Sequence, residues 1–207
     1  MNGYFNLASE TEFTLIIKKS KFICNIATVE DEQDAKNFIE KIRKRHSLAT
    51  HNCYAYIADD KGLVQKFSDD GEPQGTAGMP MLEVLKTRKF YKTVAVVTRY
   101  FGGALLGAGG LVRAYSSSVS SCLDFGKAVN VIKATEFSVE MDYNVYSKTV
   151  AFFNSKDFKI ISTDYSNGVV VNIAVVSEKK EEFKNKLTDL TLGTAKIVET
   201  SEKYVGF

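Results

Sequence analysis

No run of about 18 apolar residues occurs anywhere in the chain, so no transmembrane helix is expected. The first residues, MNGYFNLASETEFTLI, lack both a basic segment and a sustained apolar segment, so no secretory signal is expected there. The three cysteines (Cys24, Cys53, Cys122) are scattered, odd in number and without CxxC spacing. That usage excludes a disulfide framework and predicts reduced thiols in a cytoplasmic protein. Net charge is only +2, which excludes a polyanion binder that works by bulk charge. Residues 1–130 hold 17 Lys+Arg against 14 Asp+Glu, and residues 131–207 hold 10 against 11, so any nucleic-acid contact must come from a local patch in the first part.

What the chain does have is Val94–Val119, VAVVTRYFGGALLGAGGLVRAYSSSV. A β-branched apolar run leads to Arg99-Tyr100 and then to five glycines within nine residues (Gly102, Gly103, Gly107, Gly109, Gly110). A helix follows, with Leu111, Val112, Tyr115, Val119 and Cys122 at 3- to 4-residue spacing. Strand, glycine-rich turn and helix form an arrangement whose backbone N–H groups and helix N-terminus can receive an anion, with Arg99 and Arg113 supplying charge at its ends. The stretch is not a P-loop, since no Gly-Lys-Ser/Thr follows, and it lacks the third glycine of a dinucleotide fingerprint. One or two glycines are explained by positive φ or close helix packing; five between two arginines favour the close approach of a ligand.

Around this stretch the pattern predicts strands at Thr11–Ile17 and Lys21–Val29, joined by the basic Lys18-Lys19-Ser20-Lys21 connection. A helix is predicted over Asp31–His46, whose terminal Lys41, Arg43, Lys44 and Arg45 read as helix-end charge on a solvated face. A strand over His51–Ala58 puts His51 and Cys53 on one face. A zinc site would need about four ligands, and a Cys-His pair needs the imidazole aimed at the sulfur, so packed core residues are the favoured reading. No metal and no cofactor are assigned. Lys61–Phe67 reads as a hairpin arm turning at Gly62, and Ala77–Thr87 as a short helix. Between them lies SDDGEPQGTAGMP (Ser68–Pro80), with both prolines of the chain and the carboxylates Asp69, Asp70 and Glu72. That loop could hold Mg²⁺, accept hydrogen bonds from Arg99 or Arg113, or stand as a solvated acidic turn.

From Gly126 the texture changes. Strands at Val129–Met141, Phe158–Thr163, Val169–Val176 and Ala195–Tyr204 alternate with helices at Tyr143–Asn154 and Glu178–Leu190, the order βαββαβ of a ferredoxin-like unit. The expectation is an α+β protein of two domains, 1–126 and 127–207.

DDGEPQGTAGMP followed by VVTRYFGGALLGAGGLVRAYS strongly resembles the IMPACT/YigZ family, and ATHNCYAY and KSKFI match it in the same order. The resemblance covers about the first 125 residues, and the ferredoxin-like tail is similar to the second domain of the bacterial members. It implies an N-terminal domain like the second domain of ribosomal protein S5 and a C-terminal domain like the last domains of elongation factor G. It also implies a translation-linked binding protein. Eukaryotic members regulate a kinase that controls translation initiation, by competing for its activating scaffold, and RNA or ribosome binding is inferred for bacterial members from fold. Two positions depart from the pattern: His51-Asn52 stands where many members have two histidines, and Leu105 where many have lysine.

Two functions follow. The first is a non-enzymatic module contacting RNA, the ribosome or a translation-control protein. Arg99, Arg113, Lys18, Lys19 and Lys21 would meet phosphate, and Tyr100 or Phe101 would stack. The alternative is an enzyme acting on a small phosphorylated molecule, with Asp69, Asp70 or Glu72 holding Mg²⁺. An open basic groove favours the first, a deep pocket the second.

Overall fold

The computed structural model describes residues 3–207. The chain separates into two compact units, Tyr4–Val129 and residues 130–207. In the first, a short strand β1 (Tyr4–Leu7) precedes β2 (Thr11–Ile17), β3 (Ser20–Thr28), α1 (Glu32–Arg45), β4 (His51–Ile57) and β5 (Gln65–Ser68). Then come α2 (Gly78–Thr87), β6 (Thr93–Tyr100) and α3 (Ala108–Phe125).

Strands β2-β3-β6-β4-β5 form an antiparallel sheet in that order, so β6 is its central strand. Side chains alternate across a strand, and β6 shows the consequence. Val94 and Val96 pack with Phe38, Ile39 and Ile42 of α1, whereas Ala95 and Val97 pack with Met81 and Leu85 of α2 and Tyr115 and Val119 of α3. Both faces are covered, which is why VAVV is apolar without interruption. The same parity sends Arg99 to the α3 side and Tyr100 to the α1 side.

The helices carry their own start signals. The Asp31 carboxylate caps α1 by accepting from Asp34 N, and Arg43, Lys44 and Arg45 fill the last turn, as the dipole favours. Helix α2 has no capping side chain at Ala77; the Asp69 carboxylate takes that place, as shown below.

The second unit contains β7 (Ala128–Met141) from Asn130 onward, α4 (Tyr143–Thr149), β8 (Phe158–Asp164), β9 (Val169–Val176), α5 (Lys180–Leu190) and β10 (Lys196–Gly206). The antiparallel order β10-β7-β9-β8 is that of a ferredoxin-like unit, with Phe137, Val139, Val171, Ile173, Phe153, Phe183 and Leu187 in one core. Two helices are shorter than the sequence suggests. The first ends at Thr149 and resumes as a 3-10 turn at Phe152–Asn154, which lets Phe153 enter the core. The second opens with a 3-10 turn at Ser177–Lys179. The strand β1 has no counterpart in the sequence expectations; Phe5 N donates to Lys89 O, and Phe5 bridges to Phe90.

Candidate functional site

The site is built at the end of β6. In register across the sheet, Arg99 lies opposite Phe22 of β3 and His51 of β4. Arg99 is only 6% exposed. Its Nη1 donates to Glu72 Oε1 at 2.7 Å, and the guanidinium lies 5.4 Å from the Phe22 ring and 5.6 Å from the Phe101 ring. The Tyr115 hydroxyl donates to the same Glu72 oxygen at 2.7 Å. His51 Nε2 stands 3.9 Å from the other carboxylate oxygen. His51 Nδ1 is 2.8 Å from the Asp70 carbonyl, which can only accept, so Nδ1 carries the proton.

The expectation that Arg99 meets phosphate from the surface is therefore corrected: it is an interior residue neutralised by Glu72. A buried arginine without a carboxylate would be too costly to keep, and Glu72 sits 27 positions away on the acidic loop to supply one. Tyr100, expected to stack, points to the opposite face, where its hydroxyl meets His46 Nδ1 at 3.0 Å. Burial lowers the pKa of His46 there, with Lys21 and Arg45 acting in the same direction.

The three acids of the loop go to different partners. Asp69 Oδ1 accepts from Ala77 N (3.0 Å) and Gly78 N (2.8 Å), and Oδ2 accepts from Gly75 N (2.8 Å). That carboxylate shapes the loop and caps α2. Asp70 accepts from Asn52 N at 2.6 Å and from Arg43 Nη2 at 3.2 Å. Only Glu72 joins the arginine. A shared Mg²⁺ is not the arrangement found, since each carboxylate is already engaged by its own donors, and among the described residues no three His, Cys, Asp or Glu side chains are grouped as metal ligands. Arg113 is exposed on α3 and forms no ion pair among the described residues.

Cys53 packs in the core beneath this network, donating to Asp69 O at 2.9 Å and lying 3.4 Å from the Tyr115 hydroxyl. Burial pushes its thiol well above the usual range, while the Tyr115 contact acts the other way. The tyrosine hydroxyl is pushed up too, chiefly by burial and then by Cys53 and Glu72. A raised thiol stays protonated through neutral pH, so it is no nucleophile. Iodoacetamide at pH 8 should leave Cys53 unlabelled in the native protein and label it after denaturation. Native labelling at a rate near that of free cysteine would contradict this placement.

The glycines divide by task. Gly102 lies against the β2–β3 turn so closely that a Cβ there would stand 2.0 Å from Lys19 C. Its N–H donates to Ser20 Oγ at 3.1 Å. Gly107 adopts φ +70° as the N-cap of α3, and no side chain caps that helix. Gly103 also has positive φ, Gly110 meets Leu106, and Gly109 meets nothing within 4 Å. Because Gly102 seats on Lys19, the glycine-rich turn and the lysine hairpin share one end of the sheet. Lys18 (φ +45°) and Lys19 (φ +68°) form that hairpin turn and are exposed, as is Lys21. Against the second half of the glycine-rich turn is a hollow of about 370 Å³, lined by Arg99, Glu72, His51, Phe101, Leu106 and Leu111, with the α3 N-terminus at its edge.

The Impact N-terminal domain matches residues 18–123, the segment that contains every part of this site, and a domain of unknown function (DUF1949) matches residues 139–194. The chain belongs to the IMPACT family. It is 42% identical to the IMPACT family member YvyE of Bacillus subtilis, over 99% of this chain and 94% of that protein. It is 38% identical to the IMPACT family member YigZ of Escherichia coli, over 90% of this chain and 92% of that one. A crystal structure described as that of a hypothetical protein is 36% identical, covers 98% of this chain and 100% of its own, and superposes with a TM-score of 0.61. No described helix of this IMPACT-family chain is long and apolar enough to cross a membrane.

Two members of the network were hidden in the sequence. Tyr115 sits in the apolar stripe of α3 and reads as core. Its hydroxyl is the available signal, since a buried tyrosine needs a polar partner. His51 reads as a packed core residue sharing a strand face with Cys53, because its carboxylate partner lies on a separate loop.

Proposed function

We propose that this IMPACT-family protein is a non-enzymatic, translation-linked binding protein whose N-terminal unit engages RNA through the Lys18–Lys21 hairpin and the glycine-rich turn. The seating of Gly102 on the Lys19 backbone carries the reading, because it joins the lysines and the turn into one basic surface. Lys18, Lys19 and Lys21 have no acidic partner among the described residues, and Phe101 beside them is 49% exposed, available to stack on a base. Arg99 supports that surface from beneath rather than touching phosphate, and the exposed Arg113 of α3 is proposed as a further phosphate contact. The cytoplasm, where translation occurs, is the expected compartment. The non-enzymatic reading rests on the buried groups being committed to one another: Glu72 to Arg99 and Tyr115, and the Cys53 thiol held protonated.

With so little net charge, the surface should neutralise only ~3–5 phosphates, giving a slope of log affinity against log salt of roughly −2 to −4. A titration of labelled single-stranded RNA at two salt concentrations tests this. Replacing Lys18, Lys19 and Lys21 by Gln should flatten the slope by about 2, at ~0.7 per phosphate contact. Equal slopes for the two proteins would remove the hairpin from the interface, and no binding at ~50 mM salt would redirect the search to a protein partner.

A further inference from the structure

The surface reading leaves the hollow against the glycine-rich turn unused, and two of the residues that line it carry open acceptors. The first acceptor is Oε2 of Glu72. Arg99 and Tyr115 both donate to the other oxygen, Oε1, so the carboxylate is fixed with one oxygen spent and one free. The second is Nε2 of His51. Its ring is oriented from behind, where Nδ1 donates to the Asp70 carbonyl at 2.8 Å. Gly71 (φ +87°) leaves the ring its room, since a Cβ there would stand 3.3 Å from Nδ1. With the proton held on Nδ1, Nε2 presents a lone pair.

These two acceptors stand 3.9 Å apart, and neither receives a hydrogen bond among the described residues. Arg99 Nε and His46 Nε2 are sealed in protein without a partner; Glu72 Oε2 and His51 Nε2 are not sealed, and the hollow is what reaches them. The Glu72 side chain is only 3% exposed. An acceptor so placed and left without a donor is costly, so a ligand that supplies the donor is favoured.

The spacing names the donor. One nitrogen bearing two hydrogens can lie ~3 Å from both of two acceptors 3.9 Å apart and donate one hydrogen to each. A primary amino group does this, whereas a hydroxyl has a single hydrogen to give. The surroundings set its charge. Arg99 already neutralises Glu72, and the uncapped α3 N-terminus adds positive partial charge at the edge of the hollow. A second cation is repelled there, so a neutral amino group is favoured over an ammonium. The walls set what carries it. Pro73, Phe101, Leu106 and Leu111 are apolar, and about 370 Å³ lies within the range of small-ligand sites, with room for a flat ring.

We infer that the hollow takes one base of a bound RNA strand by its exocyclic amino group, which donates to Glu72 Oε2 and His51 Nε2 while the ring packs against Phe101. This rests on the RNA reading and adds base selection to it. Cytosine and adenine carry such a group. Uracil has a carbonyl oxygen where cytosine has the amino group, and that oxygen would face two acceptors.

Anisotropy titrations of the full chain with oligocytidylate and oligouridylate of one length should favour the cytidylate about fivefold or more, the effect of two hydrogen bonds made or missed. The two strands carry the same phosphates, so the lysine contacts cancel from this ratio. His51→Phe keeps a flat ring and removes one acceptor, so the ratio should fall to within about twofold. That variant also loses the bond to Asp70, and a second readout therefore uses the unaltered protein. The chain has two histidines, and His46 Nε2 is sealed. With isotope-labelled histidine, the His51 Nε2 resonance should move on saturation with oligocytidylate and stay in place with oligouridylate. Free cytidine should compete about tenfold or more weakly than the oligomer, since it brings no phosphates. Competition as strong as the oligomer's would make a free nucleoside the ligand and overturn the assignment to a strand. Equal affinity for the two oligomers, or an unmoved Nε2 resonance, would overturn base selection while leaving RNA binding intact. Binding of neither oligomer would overturn the RNA reading and this inference with it. A preference that survives in a folded His51→Phe would remove the amino group from this hollow.

Discussion

Arg99→Ala should destabilise the N-terminal unit by about 3–5 kcal/mol, the cost of leaving a buried charge without its partner. The side chains of Arg99 and Glu72 are 7% and 3% exposed, so water cannot replace the lost guanidinium. The stacking of Arg99 on Phe22 is lost at the same time. For a domain of this size, such a loss corresponds to a fall in melting temperature of roughly 10–20 °C. Surface ion pairs such as Lys86–Glu83, with side chains 44% and 54% exposed, should by contrast give about 0–1 kcal/mol when broken. The double variant Arg99→Met/Glu72→Met is the sharper measurement. It removes both charges, so it should recover much of the stability lost in either single variant, and a double-mutant cycle then reads the coupling. A melting temperature for Arg99→Ala within a degree or two of wild type would show that Glu72 is not held by Arg99 in solution.

The sequence made some of this legible and hid the rest for physical reasons. Alternation and the Ser166-Asn167-Gly168 turn place the β8–β9 hairpin, because Gly168 takes φ +101° where the strands reverse. The run Val94–Val97 reads as a buried strand, and the structure adds why it is apolar at every position: α1 covers one face and α2 with α3 the other. Arginine is seldom buried, so Arg99 also reads as a surface ligand; charge complementarity offers it the acidic loop as partner, and the structure realises that pairing with Glu72 alone and buries it. Asp69, Asp70 and Glu72 read as a cluster because they are adjacent. A left-handed residue at Asp70 (φ +43°) and Gly71 (φ +87°) turns the chain between them, and the three side chains leave in separate directions. The strand β1 is four residues long with a burial pattern that does not alternate, too short for periodicity to reveal.

Gly102→Ala should be the most damaging single methyl in the glycine-rich turn. A Cβ at that position would lie 2.0 Å from Lys19 C, 2.2 Å from Lys19 O and 2.3 Å from Ser20 N. All three are backbone atoms, so no flexible side chain can swing aside; either β3 or the turn must move. Movement breaks the hydrogen bond from Gly102 N to Ser20 Oγ and strains the end of the β3–β6 ladder at Lys21 and Tyr100. Overpacking of this kind costs about 3 kcal/mol. It also displaces Lys18 and Lys19 relative to Phe101, so RNA affinity should fall with stability. Gly109→Ala supplies the contrast, since the added methyl meets nothing within 4 Å and alanine favours the helix by up to about 1 kcal/mol. Thermal melts of the two variants, each with an RNA titration, separate the roles of the glycines. The expected result is a destabilised, weakly binding Gly102→Ala beside a Gly109→Ala at least as stable as wild type. If Gly102→Ala melts and binds like wild type, the hairpin and the turn are not joined at this contact, and the basic surface must be sought on another part of the sheet.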